Sequence, residues 1–124
     1  MNYSEIAAAP ERYNHFIMQH PYGSYYQTTY YAEAEKANGF TDYVYVTTGQ
    51  EDEIKAACLF KLKPIPHTPW YYAFSRMGFV LDYGQSDWRE EAAALWESML
   101  RELKAHKVIY FRFDLPVTED REEV

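Results

Sequence analysis

The clearest periodic signal in the chain runs from Ile54 to Lys63. Ile54, Ala56, Cys58, Phe60 and Leu62 fall on one side, and Lys55, Ala57, Leu59, Lys61 and Lys63 on the other, which is the period of a β-strand. The run from Asp42 to Thr48 has the same period, with Val44 and Val46 opposed to Tyr43, Tyr45 and Thr47. Thr48-Gly49-Gln50-Glu51-Asp52 between them is polar and of hairpin length, so the two strands are expected to pair antiparallel. Two helices are expected ahead of this hairpin. Tyr13, Phe16, Ile17 and His20 recur at helical spacing between Pro10, suited to a first turn, and Pro21, which ends the run. That gives a helix over Pro10 to Gln19. A turn at Pro21-Tyr22-Gly23-Ser24 and a short polar-aromatic segment ending at Gln27 lead to a second helix over Thr29 to Asn38, with Gly39 as its left-handed cap.

Beyond the hairpin, Pro64, Pro66 and Pro69 mark a loop, and Trp70 to Ser75 reads as a third strand. Arg76 to Gly84 is irregular and apolar. Asp87 with Glu90 has the spacing of a capping box, and Trp88, Ala92, Leu95, Trp96, Met99 and Leu103 then follow as one helical stripe. A last strand, Lys107 to Phe113, carries Ile109, Phe111 and Phe113 on one face. The order α-α-β-β-β-α-β is an α+β arrangement, a mixed but mainly antiparallel sheet flanked by helices. A right-handed crossover from Trp70 to Phe113 would set the last strand parallel to the third. Residues 1–117 form one expected domain, and the acidic stretch 118–124 is expected to be disordered.

Composition narrows the functions. With 124 residues, 48% of them hydrophobic, the chain can bury one core and not two. A net charge of −7 argues against a free-standing nucleic-acid binder, while leaving room for a local basic patch. The single cysteine, Cys58, makes no internal disulfide and reads as a buried inert thiol. No apolar run reaches the length of a membrane span, and the N-terminus lacks a basic leader, so a cytoplasmic location is expected. His15, His20, His67 and His106 show neither metal-ligand spacing nor an evident acid partner, and no glycine-rich loop suits CoA or a nucleotide. No metal and no cofactor is expected.

Three segments carry a resemblance. His20-Pro21-Tyr22-Gly23 is followed by Gln27-Thr28, Tyr31 and Asn38-Gly39-Phe40. Tyr72-Ala73-Phe74-Ser75-Arg76-Met77-Gly78-Phe79-Val80-Leu81-Asp82 comes next, then Phe111-Arg112-Phe113-Asp114-Leu115-Pro116. In order and spacing they resemble the FemABX family, aminoacyltransferases of peptidoglycan interpeptide bridges, and specifically the first of its two GNAT-like (acyl-CoA N-acyltransferase-like) halves. Tyr31 stands for a usual tryptophan, Phe74 and Phe79 for common prolines, and Leu115 interrupts an Asp-Pro pair. The resemblance implies a GNAT-like fold, a peptidoglycan precursor (UDP- or lipid-linked muropeptide) and aminoacyl-tRNA as partners, and a precursor-binding half that is not active alone. It also implies pairing with a second GNAT-like half or self-association. DNA is not an expected partner. The alternative is a non-catalytic GNAT-like interaction module.

The resemblance also supplies candidate precursor-binding residues; it names no catalytic one. Lys36, or the adjacent position Glu35, falls where the family carries a basic residue for a phosphate; otherwise Lys36 is a solvated helix lysine. Arg76 lies two residues before Gly78, where backbone can approach a ligand closely; otherwise it forms a surface ion pair. Tyr31 and Tyr72 suit stacking against a substrate or plain packing. Gln27 either faces the cleft or fixes its own turn. Asp82 and Asp114 are possible bases at positions where turn bonds are ordinary. Lys55, Lys61 and Lys63 make a basic stripe that reads as an edge or solvent face.

Overall fold

A computed structural model describes residues 10–50 and 53–114. Helix α1 spans Pro10–Gln19, as its spacing predicts. A 3-10 turn over Tyr25–Gln27 leads into α2, Thr29–Ala34, which tightens into 3-10 geometry over Glu35–Asn38. The second helix is therefore shorter than expected, its last turn tightened as helix ends often are. Gly39 closes it at φ +93°, the left-handed cap anticipated. Gly23 is required for another reason. A β-carbon there would lie 1.7 Å from the Ile17 carbonyl oxygen, so only glycine lets the chain turn back over α1.

The sheet has four strands in the order β1-β2-β3-β4: Asp42–Gln50, Glu53–Pro64, Tyr71–Ser75 and Val108–Phe113. The first three are antiparallel, and β4 lies parallel to β3 across the intervening helix α3, Trp88–Ala105. Four details differ from the sequence reading. The hairpin strands run further, pairing Gln50 with Glu53, so the polar stretch contracts to residues 51 and 52, which lie outside the described ones. Lys55 is left unpaired where the register shifts after Thr48, so Ile54 packs on the opposite side from Ala56. Ile109 is skipped in the same way opposite β3, and it is 59% exposed while Phe111 packs inward. Asp87 precedes α3 without a side-chain capping bond, since its backbone (φ −100°, ψ 17°) is not the extended one a cap needs. Side-chain caps do form at Ser24, whose hydroxyl accepts from the Tyr26 N–H, and at Thr28, whose hydroxyl accepts from the Tyr31 N–H.

Helices cover one sheet face and about half of the other. Val44, Val46, Ala56, Cys58, Phe60, Leu62 and Ala73 pack against Leu95, Met99 and Leu103 of α3. Tyr45, Ala57 and Leu59 pack against Tyr13 and Ile17 of α1 and Ala32 of α2. The reading of the lysine stripe as an edge or solvent face fails at Lys61, which is buried on a central strand, and holds for Lys55 and Lys63, which are exposed. The acidic stretch 118–124 lies outside the described residues.

Candidate functional site

The candidate site is the half of the second face that α1 and α2 leave bare. Its inner wall is built by Gln27. This side chain is fully buried, and it ties the 3-10 turn to two strands at once. Its amide oxygen accepts from the Leu59 N–H (2.9 Å), and its NH2 donates to the Arg76 carbonyl (2.6 Å) and the Ser75 hydroxyl (3.1 Å). Its bonds reach distant backbone, so it is neither a local turn fixer nor a side chain facing a cleft. Gly78 is its socket, where a β-carbon would come 2.8 Å from the Cys58 sulfur and 3.0 Å from the Ser75 hydroxyl.

The same turn aims Arg76. Gln27 holds its carbonyl, and its guanidinium lies over the Tyr26 ring, 4.1 Å from ring centre to Cζ. The ring thus supports the guanidinium while Arg76 remains exposed. Tyr26 in turn meets Tyr31 edge to face at 4.9 Å. The Tyr31 hydroxyl donates to Glu35 and accepts from Lys61.

Lys61 sits under this wall. Its Nζ pairs with Glu35 and lies 4.7, 4.2 and 5.1 Å from the ring centres of Tyr31, Phe40 and Phe74. The side chain is only 3% exposed. A buried ammonium needs both the carboxylate and the ring faces to replace water. The hydrogen bond from Lys61, helped by one from Asn38, holds the Glu35 carboxyl down at about 2, from an ordinary 4.5. A carboxyl depressed in the folded state contributes stability above its unfolded value and loses it on acidification. Stability is therefore expected to fall as pH drops from 4.5 toward 2, and Glu35→Gln is expected to flatten that limb in acid-titrated unfolding curves. An unchanged slope in the variant would place the titration elsewhere.

The other candidates are distributed as follows. Tyr72 stacks on Tyr110 of β4 with ring centres 5.3 Å apart. Lys36 stands apart from this set, paired with Glu33 at 3.3 Å and over the Tyr43 ring. So Arg76, Tyr31 and Tyr72 share one sheet face, and Lys36 packs toward β1. Asp82 accepts from the Gly84 N–H, an ordinary turn role. His106 does have an acid partner, Glu102 one turn earlier at 3.6 Å. Burial pushes the Cys58 thiol up to about 12, which leaves it unreactive. Among the described residues no three potential metal ligands cluster, and no helix is long and apolar enough to cross a membrane.

Tyr26, Phe74, Tyr110 and Arg112 join the face unannounced by the sequence, while Glu35 stood only as an alternative to Lys36 and Lys61 only as part of the lysine stripe. A signal for Lys61 was present: Leu59-Phe60-Lys61-Leu62 is nearly continuous in apolar residues, the mark of a strand buried on both faces.

No family model matches the chain. Over 111 residues it is 29% identical to a lipid II:glycine glycyltransferase of Staphylococcus aureus (strain bovine RF122 / ET3-1), a span of 90% of this chain and 25% of that protein. The crystal structure of FemX superposes with a TM-score of 0.79 at 26% identity, covering 91% of this chain and 27% of the other. A probable acetyltransferase shares the fold at a TM-score of 0.51 and 8% identity, over 75% of this chain and 60% of its own. The chain spans about a quarter of the length of the FemX-like relatives it matches. It resembles FemX in both sequence and fold, as its motifs imply, and the α+β architecture is GNAT-like.

Proposed function

We propose that this FemX-like domain is the precursor-binding half of a peptidoglycan-bridge aminoacyltransferase, working in the cytoplasm. In this reading the amino acid comes from aminoacyl-tRNA and passes to an amine on the precursor. The domain's part is to hold the acceptor. The observation that carries it is the aimed guanidinium of Arg76, fixed by Gln27 and Tyr26 beside the open tyrosine face. A diphosphate is the group such a fork clamps best, and a held acceptor is what acyl transfer from an already activated ester needs. Tyr31 and Tyr72 form the wall against which the rest of the precursor lies.

Calorimetric titration with a UDP-linked muropeptide tests this. Saturable binding is expected, weakened about tenfold or more by Arg76→Ala, since a charged hydrogen bond contributes about 1.5–3 kcal/mol. Lys36→Ala, away from the face, is expected to have the smaller effect. No binding at millimolar ligand, or equal binding by wild type and Arg76→Ala, would remove the proposal.

A second reading has one observation of its own. Strand β4 is a sheet edge on which Ile109, Tyr110 and Phe113 are 59%, 57% and 42% exposed. Such an edge suits pairing with another chain or a second GNAT-like half, as an interaction module would.

A further inference from the structure

The chain turns back on itself just past the end of α1, and His20 holds that turn twice. Its carbonyl accepts from the Gly23 N–H (2.9 Å), and its ring Nδ1 accepts from the Tyr22 N–H (3.0 Å). The second bond is the imidazole counterpart of the turns that Asn and Asp side chains make with backbone two residues on, and Pro21 fixes φ between the partners. A ring nitrogen accepts only when it carries no proton, so this bond requires neutral His20 with its hydrogen on Nε2. The ring also contacts Phe16 and Tyr22, with ring centres 5.3 and 6.1 Å away. Tyr22 passes the contact on. Its ring meets Tyr83 edge to face at 5.0 Å, and the Tyr83 hydroxyl donates to the Phe79 carbonyl (2.7 Å). The turn is thereby docked on the segment that follows Arg76. At its other end it runs through Ser24, whose hydroxyl caps Tyr26, to the ring and amide that support Arg76.

We propose that His20 is a proton-operated latch on the turn beneath Arg76. Neutral, it holds the Tyr22 N–H and keeps Tyr22 against Tyr83. Protonated, its Nδ1 becomes a donor facing a donor. The imidazolium then releases Tyr22 and turns toward the Asp82 carboxylate, and the turn that carries Tyr26 and Gln27 loosens. Partial burial lowers the His20 pKa from the ordinary 6.5, and the nearby Asp82 charge pulls the other way. Arg12 and His15 of α1 and Glu53 of β2 line the hollow beside the same ring. The unfolded chain takes up this proton near 6.5 and the folded chain only at lower pH. The latch's contribution to stability is therefore complete above 6.5 and is lost as pH falls through the folded value. The Glu35 limb lies lower, from 4.5 toward 2, so the two titrations are separable. The latch needs no ligand, so it stands or falls apart from the precursor reading.

The test is a pH titration of the isotope-labelled chain by NMR, without ligand. The His20 ring nitrogens are expected to show the Nε2–H tautomer at neutral pH and a midpoint below 6.5. The amides of Tyr22, Tyr26 and Arg76 are expected to shift with that same midpoint. His20→Asn keeps a side-chain acceptor for the Tyr22 N–H but does not titrate, so it is expected to fold and to hold those three amides still over the same range. Asp82→Asn removes the charge that favours the imidazolium, and it is expected to lower the midpoint further. An Nδ1–H tautomer, a midpoint at or above 6.5, or amides of Tyr22, Tyr26 and Arg76 that ignore the His20 titration would each overturn the latch. So would the same amide titration persisting in His20→Asn, or a midpoint that Asp82→Asn leaves unchanged or raises.

Discussion

Gln27→Leu is expected to destabilise the domain by about 3–5 kcal/mol, because it orphans several buried groups at once. Leucine fills much of the volume but makes none of the bonds. The Leu59 N–H and the Arg76 carbonyl would lose their amide partner, and the Ser75 hydroxyl would keep only the Cys58 sulfur. Each stranded buried group costs about 1–3 kcal/mol. A domain of this size is stable by only about 5–15 kcal/mol, so the loss is a large share of the total. Urea unfolding measures it as a lowered midpoint at unchanged slope. A loss under about 1 kcal/mol would mean that the amide is not the strut its geometry makes it. The variant also bears on function, since the same side chain holds the backbone of Arg76.

The second large effect is on the Glu35–Lys61 pair. Glu35→Leu leaves the Lys61 ammonium buried and uncompensated, at an expected cost of about 3–5 kcal/mol. Removing both charges is a different matter. Glu35→Leu with Lys61→Met replaces the pair by apolar groups against Tyr31, Phe40 and Phe74, and most of the lost stability is expected to return. A double-mutant cycle by chemical denaturation reads this as strong coupling. Simple addition of the two single losses would contradict the pairing.

Much of the fold was legible because periodicity reports burial directly. The helix over Pro10–Gln19, the Gly39 cap, the β1–β2 hairpin and the parallel last strand are all in the pattern of residues. What failed was local. A one-residue skip reverses every side chain beyond it; the one at Lys55 is marked only by Gly49 at φ +130° across from it, and the one at Ile109 leaves no compositional trace. Asp87 has a capping residue's identity, but its backbone angles decide otherwise. The site was only half legible for a related reason. Arg76, Tyr31 and Tyr72 stand out in motifs, whereas Lys61 and Glu35 are residues apart in sequence and meet only when α2 lies on β2. Gln27 stood out as well, but as a residue facing the cleft or fixing its own turn. Its partners Leu59 and Ser75 lie 32 and 48 residues away, beyond what local pattern can show.

The central claim is that the open tyrosine face beside Arg76 receives the acceptor precursor. Amide chemical-shift mapping of the isotope-labelled chain during titration with a UDP-linked muropeptide tests it most directly. The account predicts saturable shifts concentrated at Tyr26, Tyr31, Tyr72 and Arg76, and little change along α1. Saturation accompanied by shifts confined to α1, or no shifts at millimolar ligand, would contradict it.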